Sequence, residues 1–208
     1  LMCSVPRFWE KVYAGVQEKI AETTGIKKAL MLDAIRVGKI HNIDYLRKGK
    51  TPPLMLHLKY QFYEKTVYSL LKKTIGIENG NFFPTAGAAV PDEICEFVHS
   101  VGINMLVGYG LTESTATVSC FQNSGYEIGS VGTVMPDVEV KIGENNEILL
   151  RGKTITKGYY KKAEATAEAI DKEGWFHTGD AGYLNGDCLY LTERIKDLFK
   201  TSNGKYIS

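Results

Sequence analysis

The chain has 208 residues, of which 44% are hydrophobic, 11% aromatic and 24% charged, ordinary proportions for a folded protein and unlike those of a disordered tail. Lys and Arg total 25 against 24 Asp and Glu, so the formal net charge is +1, and there is no electrostatic case for nucleic acid as a partner. At about 150 residues per domain, this length fits one large domain or two small lobes with enough chain for a core without staples. The four cysteines (Cys3, Cys95, Cys120, Cys188) never form a C-x-x-C pair and do not cluster with His41, His57, His99 or His177. This is the usage expected of reduced thiols in a cytoplasmic protein, and it offers no zinc spacing. No apolar run reaches the 18 residues or so that a spanning helix needs. Arg7, Glu10 and Lys11 interrupt any signal-peptide pattern.

From Pro6 to about Ala29, the apolar residues Phe8, Trp9, Val12, Tyr13, Val16 and Ile20 recur at helical spacing, with Pro6 tolerated in the first turn and Gly25 a natural stop. Thr51-Pro52-Pro53 breaks the chain before a second helical pattern, Tyr60, Tyr63, Val67, Leu70, Leu71 and Ile75, closed by Gly76. Asn81-Phe82-Phe83 is a short apolar segment running into Thr85-Ala86-Gly87-Ala88-Ala89. Pro91-Asp92-Glu93 then opens a helix with Ile94, Phe97, Val98 and Val101 on one face. Ile103-Asn104-Met105-Leu106-Val107, bounded by Gly102 and Gly108, reads as a buried strand. Helices alternating with short buried strands predict an α/β fold with a parallel sheet.

After about Gly129 the pattern changes. Val138, Val140 and Ile142 alternate with Glu139 and Lys141, the period of a half-buried strand, and Gly143-Glu144-Asn145-Asn146 is a turn into Ile148-Leu149-Leu150. Asn185-Gly186-Asp187 marks a second hairpin between Tyr183-Leu184 and Leu189-Tyr190-Leu191, and a short helix over residues 163–170 interrupts the strands. An α/β part of about 128 residues is therefore expected to precede an antiparallel part of about 80.

Three stretches carry candidate chemistry. Gly108-Tyr109-Gly110-Leu111-Thr112-Glu113-Ser114 lies past the end of a predicted parallel strand, where open α/β sheets bind ligands. Its glycines permit a sharp turn and close approach to the Tyr109 ring, while Thr112 and Glu113 set a hydroxyl beside a hard oxygen ligand suited to a Mg²⁺-chelated phosphate. A plain strand-to-loop turn with a buried tyrosine and a solvated glutamate fits the same spacing. In Trp175-Phe176-His177-Thr178-Gly179-Asp180, one carboxylate can accept from two neighbouring ribose hydroxyls, although taken alone Thr-Gly-Asp is turn chemistry. In Glu193-Arg194-Ile195-Lys196-Asp197, Arg194 ends a predicted strand and can reach ribose or phosphate oxygens; a solvated mixed-charge run is the alternative. Gly152-Lys153-Thr154 is not a P-loop, because Glu147 stands at the required first glycine, and Gly108-x-Gly110 lacks the third glycine of a dinucleotide fingerprint.

Taken in order, Tyr109-Gly110-Leu111-Thr112-Glu113, Gly129-Ser130-Val131-Gly132, Gly152, Gly158-Tyr159-Tyr160, Gly174-Trp175-Phe176-His177-Thr178-Gly179-Asp180 and Arg194-Ile195-Lys196-Asp197 resemble the adenylate-forming (acyl-CoA synthetase/luciferase-like AMP-binding) superfamily. Within it, Ser4-Val5-Pro6-Arg7-Phe8-Trp9-Glu10-Lys11 and the run over 173–208 are most similar to long-chain fatty-acid–CoA ligases. The resemblance covers essentially the whole chain. It implies the second half of a large N-terminal domain, with an α/β subdomain over 1–128, an antiparallel β-barrel-like subdomain over 129–196 and a hinge exit over 197–208. The implied reaction has two steps. A fatty-acid carboxylate attacks the ATP α-phosphate to give acyl-AMP and diphosphate, and the CoA thiol then displaces AMP, with Mg²⁺ neutralising the phosphates.

Carried over residue by residue, the resemblance implies that Tyr109 stacks on adenine, Gly87, Ala88 and Ala89 line the other side of the base, and Gly110 and Leu111 run beside the nucleotide. It makes Thr112 an α-phosphate contact, Glu113 the Mg²⁺ ligand, Asp180 the partner of both ribose hydroxyls and Arg194 a second ribose contact. Gly108 and Gly110 would leave room for the acyl group, and Lys196 would be the hinge. Ala86 stands where the family usually has one of two consecutive glycines. The family's Ser/Thr/Gly-rich phosphate loop ending in Lys-Gly and its adenylation lysine do not occur in these 208 residues. A missing N-terminal half and C-terminal domain are therefore expected, as is negligible ligase activity of the isolated chain. A lipid substrate is compatible with peripheral membrane contact, although no basic amphipathic helix marks it. The remaining readings are a sister activity (acyl-AMP ligase, aryl-CoA ligase or adenylation domain), a non-catalytic nucleotide-binding module, and a structural domain with incidental motifs.

Overall fold

A computed structural model describes residues 1–115, 117–195, 199–200 and 206–207, the last two pairs as backbone. The chain is α/β and divides into two compact units, Leu1–Val107 with Phe121–Gly129, and Gly108–Cys120 with Ser130–Ser208. Residues 108–120, read above with the α/β part, group with the second unit because Gly108 and Tyr109 pair with residues 119–120, which pair in turn with residues 133–134.

The first unit is mainly helical. α1 (Pro6–Glu22) starts on the expected proline and buries Trp9 and Ile20. It stops earlier than its apolar spacing suggests: the Thr23 N–H and hydroxyl both turn back to the Lys19 carbonyl, at 3.1 and 2.6 Å. Gly25 then opens α2 (Gly25–Gly38) with φ of +62° instead of closing α1. A π-helical segment, Lys39–Tyr45, continues α2. α3 (Leu54–Tyr63) begins directly after Thr51-Pro52-Pro53 and joins α4 (Ser69–Ile75) through a second π-helical segment, Glu64–Tyr68. Gly76, in the left-handed region, caps α4 through its N–H to the Lys72 and Lys73 carbonyls. α5 (Asp92–Ser100) places Asp92 and Glu93 in its first turn, where the helix dipole favours them, and buries Ile94, Phe97 and Val98. Tyr13 of α1 meets Phe97 edge-on at 5.2 Å. Beneath these helices β1 (Phe83–Thr85) runs parallel to residues 105–107 of β2 (Met105–Tyr109). The Trp9 indole N–H reaches Ser4 and Thr85 hydroxyls at 2.9 and 2.8 Å, tying the start of the chain to β1.

The second unit is an antiparallel sheet in the order β2-β3-β4-β8-β7-β6-β5. Its strands are the end of β2, β3 (Ser119–Cys120), β4 (Thr133–Val134), β5 (Val138–Ile142), β6 (Glu147–Gly152), β7 (Phe176–Asn185) and β8 (Cys188–Arg194). Both hairpins form where turn chemistry puts them. Asn145 and Asn146 take positive φ between β5 and β6, and Gly186-Asp187 links the Asn185–Cys188 pair with Gly186 at +58°. Ile148, Leu150, Phe176 and Leu189 fill the core of this unit. α6 (Ala163–Ala169) lies between β6 and β7 in the chain. Among the described residues, no helix is long and apolar enough to cross a membrane.

Candidate functional site

Tyr109 ends β2. Its partner on β3 is Ser119, and its carbonyl accepts the Val118 N–H at 2.8 Å. A Cβ on Gly108, which pairs with Cys120, would stand a tight 3.1 Å from the Ser119 carbonyl oxygen. The Tyr109 ring is 8% exposed, and its hydroxyl donates to Asp180 Oδ2 at 2.7 Å. Burial, then the hydrogen bond to Asp180 and its charge, push the phenol well above its ordinary pKa, so it stays a donor.

Asp180 is positioned by an irregularity in the sheet. β6 and β7 are in register at Leu149–His177 and again at Glu147–Ala181, so Thr178, Gly179 and Asp180 stand opposite Ile148 alone. The bulge is pinned from within. Thr178 Oγ1 donates to the Ile148 carbonyl at 2.7 Å and accepts the Asp180 N–H at 3.1 Å, while the Gly179 N–H donates to Glu147 Oε1 at 2.9 Å. Gly179 sits at φ +73°, a conformation that favours glycine. A second irregularity on the other side of β7 sets Arg194. Ala181 pairs with Glu193 but Gly182 pairs with Leu191, so β8 carries the extra residue Thr192. Asp180 and Arg194 thereby become direct partners, with Arg194 Nε 3.4 Å from Asp180 Oδ1. Bulges beside ligand sites commonly re-aim a side chain in this way.

After Gly110 and the half-buried Leu111 comes a tight turn, Thr112–Ser114. The Leu111 N–H donates to Ser114 Oγ at 2.9 Å, and the Ser114 hydroxyl returns to the Leu111 carbonyl at 3.0 Å. Thr112 is exposed and Glu113 half-buried, with Glu113 Oε1 accepting the Tyr159 hydroxyl at 2.9 Å.

A sequence profile of the AMP-binding enzyme family matches residues 1–160. The chain belongs to this adenylate-forming family. It is 30% identical to a protein named long chain acyl-CoA synthetase 7, peroxisomal, from Arabidopsis thaliana, over 100% of this chain and 30% of that protein. It is 31% identical to the human long-chain-fatty-acid–CoA ligase ACSBG2, over 98% of this chain and 31% of that protein. Among solved structures it matches the O-succinylbenzoate Coenzyme A synthetase of Bacillus subtilis, in complex with ATP and magnesium ion. That match has 27% identity and a TM-score of 0.54, and covers 61% of this chain and 29% of that one. The chain thus spans about a third of the length of the curated relatives it matches.

In this member of the AMP-binding enzyme family the second unit brings Tyr109, Asp180 and Arg194 into one hydrogen-bonded and ion-paired group, and Glu113 and Tyr159 into another. Gly87, Ala88 and Ala89 belong to the first unit, in the exposed loop between β1 and α5, with Gly87 at φ +94°. Lys196 lies outside the described residues. No three His, Cys, Asp or Glu side chains form a cluster able to hold a metal among the described residues. A single half-buried carboxylate nonetheless fits Mg²⁺, which usually keeps water and takes one or two carboxylates together with substrate phosphates. Sequence reasoning assigned no role to Glu147, Thr178 or Tyr159. Tyr159 and Thr178 stand in the Gly158-Tyr159-Tyr160 and Thr178-Gly179-Asp180 motifs, whereas the bonds of Glu147 to Gly179 and of Thr178 to Ile148 cross about thirty residues and leave no local signal.

Proposed function

We propose that this chain carries the ribose- and metal-binding residues of a long-chain fatty-acid–CoA ligase, whose reaction joins a fatty acid to CoA through acyl-AMP at the expense of ATP. The observation that carries the reading is the Tyr109–Asp180–Arg194 group. Asp180 Oδ2 takes the Tyr109 hydroxyl and Oδ1 faces Arg194 Nε, but a carboxylate offers about four lone-pair sites, so two remain for the vicinal hydroxyls of a ribose. Asp180 and Arg194 face each other across β7 and β8, which speaks against incidental motifs. Tyr109 would stack on the base, with Gly110 and Leu111 beside the nucleotide.

Thr112, exposed next to Glu113, would donate its hydroxyl to the α-phosphate, and Glu113 would hold Mg²⁺. The bound ion would supply charge neutralisation of the crowded phosphates. Lys196 would serve as the hinge and Gly108 and Gly110 as neighbours of the acyl carbonyl. The long-chain assignment is supported by the two curated relatives named above and by the Ser4-Val5-Pro6-Arg7-Phe8-Trp9-Glu10-Lys11 opening.

The match to the O-succinylbenzoate enzyme favours a second reading, an aryl-acid–CoA ligase. Competition calorimetry with non-hydrolysable acyl-adenylates separates the two. A long-chain analogue should bind this chain more tightly than AMP and more tightly than an aryl analogue; equal affinities, or a preference for the aryl compound, would exclude the long-chain assignment.

A further inference from the structure

We infer that Tyr159 is a positioning residue for the Glu113 carboxylate, holding it in the orientation that receives a divalent cation while leaving its charge intact; this rests on the proposed role of Glu113. Two segments of the second unit are clamped by three hydrogen bonds. The Thr115 hydroxyl donates to the Thr154 carbonyl at 2.6 Å, the Thr156 N–H to the Glu113 carbonyl at 2.7 Å, and the Tyr159 hydroxyl to Glu113 Oε1 at 2.9 Å. The first two hold the chain at Thr115, just after the turn, and the Glu113 backbone within it. Only the third touches the functional group, and it removes rotamer freedom from a flexible side chain.

Tyr159 is itself held. Its N–H donates to Thr166 Oγ1 of α6 at 2.9 Å, and Thr166 donates to the Lys162 carbonyl at 2.8 Å. Gly158, at φ +139°, packs so closely on Thr166 that a Cβ would collide with its side chain. α6 thus holds the Tyr159 backbone, and the phenol braces the carboxylate.

The chemistry of the donor matters as much as its place. Among the described residues no Lys, Arg or His pairs with Glu113. A cationic partner would hold the side chain equally well but cancel the charge that attracts Mg²⁺, whereas a phenol steers it without neutralising it. With Oε1 occupied, Oε2 is free of hydrogen bonds among the described residues and is the oxygen presented to a cation. Metal-binding carboxylates are commonly held by such outer partners, whose loss costs about 10–100-fold in metal affinity.

The test is Mn²⁺ binding to the chain at saturating ATP, read by electron paramagnetic resonance, alongside ATP affinity without metal. Wild type, Tyr159→Phe and Glu113→Gln are compared. Tyr159→Phe should lower Mn²⁺ affinity about 10–100-fold with metal-free ATP affinity unchanged, and Glu113→Gln should lower it at least as far. Wild-type Mn²⁺ affinity in Tyr159→Phe, with Glu113→Gln impaired, overturns the role of Tyr159 alone. Equal loss of metal-free ATP binding in Tyr159→Phe also overturns it, since the residue would then support the loop rather than the carboxylate. If wild type and Glu113→Gln bind Mn²⁺ alike, the metal-ligand reading of Glu113 fails and the inference with it.

Discussion

His99 is 6% exposed, stacks on Tyr126 with ring centroids 4.5 Å apart, and keeps its Nε2 buried without a hydrogen-bond partner. Burial first, and the nearby Arg47 guanidinium as well, bring its pKa down from 6.5 to about 4. The folded state therefore binds fewer protons than the unfolded chain between these values, and stability falls as pH falls through that window. His41, whose pKa is also lowered by burial, acts in the same direction. Stability should drop by about 2 kcal/mol between about pH 7 and about pH 5 from His99 alone, measured by urea unfolding. His99→Phe keeps the stack and should flatten most of that slope; an unchanged slope would refute the assignment. Asp180 illustrates how far single residues were legible. The Thr178-Gly179-Asp180 string marked the position, and in isolation it read equally as a turn. Only the pairing of Asp180 with Arg194 and its bond from Tyr109, 71 residues away, distinguish a positioned carboxylate from a cap.

At the scale of elements, regular periodicity was easy to read and its interruptions were not. The β5–β6 and β7–β8 hairpins follow alternation and turn residues, and α5 follows its apolar face and acidic first turn. Residues 30–48 carry no helical reading in the sequence, and over Lys39–Tyr45 the π-helical turn moves side chains off the 3.6-residue spacing. That segment is anchored by Asn42, whose amide N–H groups reach the Tyr60 hydroxyl and the His99 and Ser100 carbonyls at 3.2, 2.9 and 3.3 Å. Its oxygen is thereby turned to His41 Nδ1 at 2.8 Å, which must carry the proton, so His41 Nε2 accepts from His57 Nδ1 at 2.9 Å. The β7–β8 bulge was equally silent in the sequence. Gly182 permits it, since a Cβ there would overlap the Tyr190 carbonyl on the adjoining strand. Gly182→Ala should destabilise the protein by about 1–3 kcal/mol in denaturant unfolding and weaken nucleotide binding by moving Arg194 away from Asp180. An alanine variant with wild-type stability would mean that the bulge relaxes freely.

For the molecule as a whole, alternating helix and buried strand followed by strict strand alternation were enough to place it among α/β folds, and the ordered motifs enough to place it in its family. Less legible was the way chain order and packing diverge. Residues 108–120 follow a strand of the first unit yet pack with the second, because their partners β3 and β4 belong to the antiparallel sheet. The second unit consequently contains Tyr109, Glu113, Asp180 and Arg194, the groups on which the nucleotide reading depends. The most direct test is calorimetric titration of the chain with a non-hydrolysable acyl-adenylate, beside Asp180→Ala and the shape-preserving Asp180→Asn. Removing a charged hydrogen-bonding partner should cost about 1.5–3 kcal/mol of binding free energy, more than tenfold in affinity, in both variants. Binding that is indifferent to both substitutions, or absent from the folded wild-type chain, would contradict a ribose-binding Asp180.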